Sequence, residues 1–188
     1  MGAAFRTQSH TVIFLFMSTT DPAPLILTLT LDAATQTYFN GLRQQHFPPK
    51  INYLAAHLTL FHHLPGAELA GISETLRQLS QPLEPLPLQV TGLRSLGRGV
   101  AFTLENEQLR ALHRQLQTAF APHLTPQDQQ KLQPHVTIQN KVDPAVARQL
   151  LAEMQTGFAP FGAVGTGLRL WAYRGGPWES LAEFGFGA

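Results

Sequence analysis

The chain has 188 residues and a formal net charge of +1, and only 13% of its residues are charged, about half the usual share of about 25%. So weak and balanced a field excludes electrostatic tracking of long duplexes and favours a small phosphorylated molecule or a nucleic-acid end. The absence of cysteine excludes a disulfide framework, a thiolate zinc site and a cysteine nucleophile, and is compatible with the cytoplasm, the location expected here.

Residues 1–22 are expected to form a disordered N-terminal extension. Within them Val12 to Met17 is apolar but far short of the roughly 20 residues that span a bilayer. No small-x-small cleavage site follows before Asp21-Pro22-Ala23-Pro24. Met17 stands just ahead of the strand-forming LILTLTL, so residues 1–16 are expected to be an upstream extension from a misplaced start.

Leu25 to Leu31 alternates Leu or Ile with Thr and predicts a strand. Asp32 is placed to cap a helix from Ala33 to about His46, with Tyr38, Phe39 and Leu42 as its apolar stripe, and Pro48-Pro49 stops it. A strand over Tyr53 to Phe61 follows, then a helix from about Glu68 to Leu79 with Leu69, Ile72, Leu76 and Leu79 at helical spacing. Pro82, Pro85 and Pro87 lead into strands over Leu88 to Leu96 and Val100 to Leu104, with a hairpin turn at Gly97-Arg98-Gly99. Glu107 to Phe120 predicts a helix and His135 to Gln139 a strand. Asp143 to Met154 predicts another helix, capped by Asp143 with Pro144 at its first position. Phe158 to Phe161, Leu168 to Arg174 and Ala182 to Phe186 predict closing strands. The glycine-rich Gly162 to Gly167 predicts a turn, since it leads into a strand and not a helix. Strand, helix, strand, helix, strand thus occurs twice. That order argues for an α+β chain with two similar lobes around a cleft, and without linker composition residues 23–188 are expected to form one bilobal domain.

Two strings carry the chemistry: HLTL at His57 to Leu60 and HVTI at His135 to Ile138. In an extended strand, residues two apart share a face and rise about 3.3 Å each, so His57 and Thr59 share one face and Leu58 and Leu60 the other. His135 and Thr137 repeat this, with Val136 and Ile138 turned inward. A chain with 8 His is expected to hold about 0.7 His-x-Thr triplets by chance. Three are present, at His57, His123 and His135. Requiring apolar residues at the other two positions lowers the chance of two such strings to about 0.01. His123 fails that test, because Pro122 and Pro126 flank its triplet and mark a turn.

Histidine titrates near neutrality, with an ordinary pKa of about 6.5, so two of them can act as base and acid in one displacement at phosphorus. The Thr hydroxyls would polarise the non-bridging oxygens as charge builds on them. The contexts YLAAHLTLFHHLPG and LQPHVTIQNKV resemble the two-histidine phosphoesterase superfamily, and among its members the bacterial 2′-5′ RNA ligase-like proteins. The resemblance implies a bilobal LigT-like fold of mainly antiparallel sheet, with outer helices and a central cleft. It also implies metal-independent phosphodiester chemistry on 2′,3′-cyclic or 2′-5′ linked nucleotides or RNA ends, with 2′-5′ ligation as the possible reverse. By it, His57 and His135 are the expected catalytic pair, and Thr59 and Thr137 bind the substrate phosphate. Some such enzymes carry an Arg soon after the second motif; here Gln139-Asn140-Lys141 follows, so Lys141 is the candidate for that charge, as a point donor without Arg's bidentate fork.

Tyr173 and Trp178 flank the Arg174-Gly175-Gly176-Pro177 loop and are candidates for stacking on a base, whereas core packing is expected of Phe61 and Trp171. Arg43, Lys50, Arg98 and Arg174 are further basic candidates for the phosphate. His62 and His63 read as loop polar residues. No metal site is expected, since HExxH spacing is missing and His57 and His62 are five apart across a strand end. No cofactor, no membrane association and a monomer are the remaining expectations. The alternative is a non-catalytic module that binds a nucleotide or RNA end in the same cleft.

Overall fold

The Thr-alternating LILTLTL forms strand β1 (Leu25–Leu31), and its apolar residues are all buried. Asp32 then starts helix α1 (Ala33–His46): its Oδ1 accepts a hydrogen bond from Thr35 N at 3.0 Å. The computed structural model describes residues 22–187; the expectations for residues 1–21, the apolar run Val12 to Met17 included, lie outside them. After α1 come β2 (Leu58–Leu64), α2 (Leu69–Ser80), β3 (Leu86–Ser95), β4 (Val100–Glu105) and α3 (Glu107–Ala119). β5 (His135–Gln139), α4 (Pro144–Thr156), β6 (Phe161–Ala172) and β7 (Glu179–Gly185) complete the chain. Asn106 caps α3 through Leu109 N at 2.6 Å, and Asp143 caps α4 through Ala145 N at 2.7 Å.

All seven strands form one antiparallel sheet in the order β2-β1-β6-β3-β4-β5, with β7 paired to β6. β2 and β5 stand at opposite ends of that order, yet they touch without being hydrogen-bonded neighbours. The sheet therefore curls until the two motif strands meet. The α+β, mainly antiparallel expectation holds. No helix among the described residues is long and apolar enough to cross a membrane.

The glycine-rich stretch is a correction. Gly162 to Gly167 is not a turn but the first half of β6, so the two strands expected on either side of it are one strand, opening at Phe161. Its first half pairs with β3 and its second with β1 and β7. Bare backbone is needed at that junction: a Cβ on Gly167 would stand 2.6 Å from Phe184 O, and one on Gly165 would stand 3.0 Å from Leu29 Cδ2.

β2 also starts later than its pattern suggests, at Leu58 and not Tyr53. The segment before it runs beside α1, whose polar side chains take over the duty of a strand neighbour. Gln36 Nε2 donates to Ala56 O at 2.8 Å, Asn40 Oδ1 accepts from Ala56 N at 2.8 Å, and Arg43 Nε donates to Leu54 O at 3.0 Å. Residues 36, 40 and 43 share one helical face, so a single ridge of α1 shapes the approach to His57.

Helices and strands are exchanged between the two halves of the chain. Phe39 of α1 packs on Phe102 of β4, ring centroids 5.3 Å apart, and α1 lies against β5. Reciprocally, His113 of α3 stacks on Phe61 of β2 at 4.7 Å and its Nε2 donates to Leu60 O at 3.1 Å.

Candidate active site

The two motifs keep the face pattern read from their spacing. Leu58, Leu60, Val136 and Ile138 are buried, while His57, Thr59, His135 and Thr137 are half-buried. These four polar residues line one cavity of about 180 Å³, together with Ile26, His62 and Trp178.

Both histidines are held by the same device. His57 Nδ1 lies 2.8 Å from Ala55 O, and His135 Nδ1 lies 2.9 Å from Gln133 O, in each case the carbonyl two residues earlier. A carbonyl can only accept, so Nδ1 carries the proton and the Nε2 lone pair is left for a substrate. Burial pushes the His57 pKa down to about 4; the Ala55 carbonyl opposes the shift, and Arg43 and His135 add to it. Burial also lowers that of His135, opposed by the Gln133 carbonyl and helped by Arg94. Both imidazoles are thus neutral bases at pH 7 in the protein alone. One source of the burial is Trp178, whose ring centroid is 4.7 Å from that of His57.

Lys141 and Tyr173 are brought together, but beside the central cavity. They line an adjoining groove of about 510 Å³ that shares His57, Thr137 and Trp178 with it. Lys141 adopts φ 61°, unusual for a side chain with a Cβ, with its N–H bonded to Asn140 Oδ1 at 2.8 Å. Trp178 touches both spaces, so of the two expected stacking residues it is the one against His57. Trp171, expected in the core, is half-buried and lines a further cavity of about 330 Å³ beside His57; its Nε1 donates to Thr28 Oγ1 at 2.9 Å. Phe61 is fully buried, as expected.

Three of the other basic candidates have protein partners. Arg43 is buried, and its guanidinium donates to Asn52 Oδ1, Leu54 O and Thr137 O. Arg98 Nε donates to Val142 O at 3.1 Å, and Arg174 pairs with Glu179 at 2.7 Å. Lys50 and His123 are exposed, on short 3-10 turns.

His62 is the residue that spacing missed. Five positions from His57, it should face the other way on a regular strand. β2 shifts register against β1 between Leu64 and Phe61 and again between Phe61 and Thr59, and these irregularities turn His62 into the cavity. The available signal is Leu60-Phe61, two consecutive apolar residues that break the alternation, both buried. Asp128 holds His62 in place. Its carboxylate, with no side-chain exposure, accepts His62 N at 2.8 Å, His62 Nδ1 at 3.1 Å, His63 N at 3.0 Å and Thr125 Oγ1 at 3.2 Å. Burial acts to raise the Asp128 pKa, but the hydrogen bonds from His62 and His63 outweigh it and hold the carboxyl below its ordinary value. Among the described residues no group of three or more His, Cys, Asp or Glu is placed to hold a metal ion.

The sequence matches the 2′-5′ RNA ligase superfamily over residues 31–177. No curated protein matches it. Among solved structures it is similar to TT0787 of Thermus thermophilus, at 15% identity and a TM-score of 0.63, covering 88% of this chain and 98% of that one. It is also similar to Escherichia coli LigT complexed with 3′-AMP, at 19% identity and a TM-score of 0.60, covering 89% of this chain and 100% of that one. LigT complexed with ATP gives 20% identity and a TM-score of 0.56, with 90% and 100% covered. At these identities the likeness establishes the fold, which is LigT-like.

Proposed function

The chain belongs to the 2′-5′ RNA ligase superfamily, and from that premise we propose that it is a metal-independent phosphodiesterase acting on 2′,3′-cyclic phosphates or 2′-5′ linkages at nucleotide or RNA ends. The observation that carries this reading is the pair of identical Nδ1 tethers, which leave two Nε2 atoms and two Thr hydroxyls for one cavity. One neutral Nε2 takes a proton from water as its oxygen bonds to phosphorus. The other histidine, protonated at Nε2, gives its proton to the departing 2′ or 3′ oxygen as that P–O bond breaks. The product is a phosphomonoester beside a free hydroxyl.

Both pKa values lie below the ordinary histidine value in the protein alone, so a bound phosphodiester anion supplies the field that favours one imidazolium. Thr59 and Thr137 donate to the non-bridging oxygens. Lys141 adds charge from the adjoining groove, and Trp178 and Tyr173 offer faces to a base. A sugar hydroxyl in place of water, acting on a cyclic phosphate, forms a 2′-5′ link by the same proton transfers. That nucleotides are the ligands is supported by LigT, solved with 3′-AMP and with ATP. We read the enzyme as a cytoplasmic monomer that needs no cofactor.

The test is turnover by the full chain, in EDTA, of 2′,3′-cyclic nucleotides, 2′-5′ dinucleotides and RNA ending in a cyclic phosphate. Activity should survive chelation and fall by about 10²-fold or more in His57→Ala and His135→Ala. Loss in EDTA with recovery in zinc or manganese would overturn the metal-free mechanism, and no turnover of any substrate would overturn the reading itself.

A further inference from the structure

The cavity holding the two histidines continues into a second one of about 310 Å³, and the two share Thr59, His62 and His135. Trp178 and Tyr173, the aromatic residues suited to a base, line spaces outside this second cavity, and those spaces share His57 and Trp178 with the central one. A substrate phosphate at the histidines therefore has aromatic neighbours through His57 and a different environment through His135.

That environment is cationic. Arg94 of β3 and Lys131 line it with His62 and His135. Arg94 Nη1 donates to Gln133 Oε1 at 2.9 Å, while the Gln133 carbonyl accepts from His135 Nδ1 at 2.9 Å. One residue thus sets both the guanidinium and the imidazole. Only Nη1 of Arg94 has a protein partner among the described residues, so most of its five N–H donors are available. Asp128 is the one carboxylate lining this cavity, and its oxygens already accept from His62, His63 and Thr125. Its oxygens are occupied within the protein, and Arg94 and Lys131 outnumber its charge in the lining.

We propose that this cavity binds a second phosphate of the substrate, the phosphodiester on the 5′ side of the terminal nucleotide. The protein then prefers an oligoribonucleotide end to a mononucleotide. This rests on the phosphodiesterase reading above and adds Arg94 and Lys131 as its specificity-determining residues. Arg94 provides a fork for two phosphate oxygens and Lys131 a point charge.

The experiment compares kcat/KM for adenosine 2′,3′-cyclic phosphate with that for the ApA dinucleotide ending in the same cyclic phosphate. The dinucleotide should be favoured by about tenfold or more, the usual worth of one or two charge-assisted hydrogen bonds. Arg94→Ala with Lys131→Ala should bring the ratio to within about twofold of one, and Arg94→Lys should leave it between. The charge of Arg94 acts on His135 whichever substrate is bound, so that influence cancels in the ratio. The salt dependence for the dinucleotide should also flatten in the double variant. A wild-type ratio near one, or a ratio untouched by the double variant, would overturn the proposal. Should neither compound turn over, the phosphodiesterase reading fails separately. Calorimetric binding of 3′-AMP and of ApA 3′-phosphate then decides: a preference for the longer ligand that the double variant abolishes supports the second-phosphate site, and equal affinities overturn it.

Discussion

Arg43→Met keeps an unbranched apolar stem and removes the guanidinium that ties the two motif segments together. Arg43 is 5% exposed. Nε donates to Asn52 Oδ1 at 2.8 Å and Leu54 O at 3.0 Å, and Nη1 donates to Thr137 O at 3.1 Å. Its Cζ lies 3.8 Å from the Phe47 ring centroid. A buried acceptor left unpaired costs about 1–3 kcal/mol, and these half-buried ones recover part of that from water, so about 1 kcal/mol for each is a fair figure. Losing the cation over Phe47 adds about 0.5–1 kcal/mol. The sum is about 3–4 kcal/mol. With a urea dependence of about 1–3 kcal/mol per molar, the unfolding midpoint should fall by at least about 1 M. The site should suffer too, because the same side chain holds the approach to His57 and the backbone at Thr137. A displacement of about 1 Å is enough to cost about 10²-fold, so kcat/KM should fall by about 10- to 100-fold. Arg43→Lys should rescue little, since one ammonium cannot serve acceptors on two segments. A midpoint shift below about 0.3 M with kcat/KM unchanged would refute the reasoning.

Single His57→Ala and His135→Ala changes should each lower kcat by about 10²–10⁴, and the double change should cost far less than the product of the two. His123→Ala, on an exposed turn, should leave kcat within about twofold; strict multiplicativity of the first pair would show that they do not act in one step. In an NMR titration His57 should change protonation at about pH 4, and inorganic phosphate should raise that value. Because the unfolded chain takes up this proton near pH 6.5, the stability linked to it is whole above that pH and is lost as the pH falls toward about 4. Urea midpoints should accordingly fall more for the wild type than for His57→Gln across that window. Gly99→Ala should lower the melting temperature by an amount equivalent to about 1–3 kcal/mol, since its Cβ would drive into Gln139 O and to 2.6 Å from Asn140 Cα; an unchanged melting temperature would show that the end of β5 yields freely.

The parts that sequence predicts well are those whose side chains follow their own backbone period. β5 is correct to the residue because HVTIQ alternates without interruption, and α1 and α4 are correct within a turn because Asp32 and Asp143 cap them locally. The misses have distant causes. Gly165 and Gly167 form strand because Leu29 and the Phe184 carbonyl approach their bare Cα atoms, contacts made with β1 and β7. Residues 53–56 look like strand, yet their hydrogen bonds go to Gln36, Asn40 and Arg43. Arg43 is read as a candidate for the substrate phosphate because nothing near it in the chain reveals that Thr137 O waits 94 positions away. His62 illustrates the same limit within the candidate site, as its partner Asp128 is 66 positions distant.

The exchange of α1 and α3 between the halves means that the covalent chain and the packing units do not coincide. A cut in the turn after α2 would leave one fragment with β1 and β2 but without β6, the inner neighbour of β1, or the ring of His113 that covers Phe61. The other fragment would hold β4 and β5 without the Phe39 ring and the Arg43 guanidinium that lie on them. Each piece alone exposes an apolar surface shaped for the other. Mixed together, they should reassociate as complementing fragments, and histidines carried on separate peptides would then reunite around one phosphate.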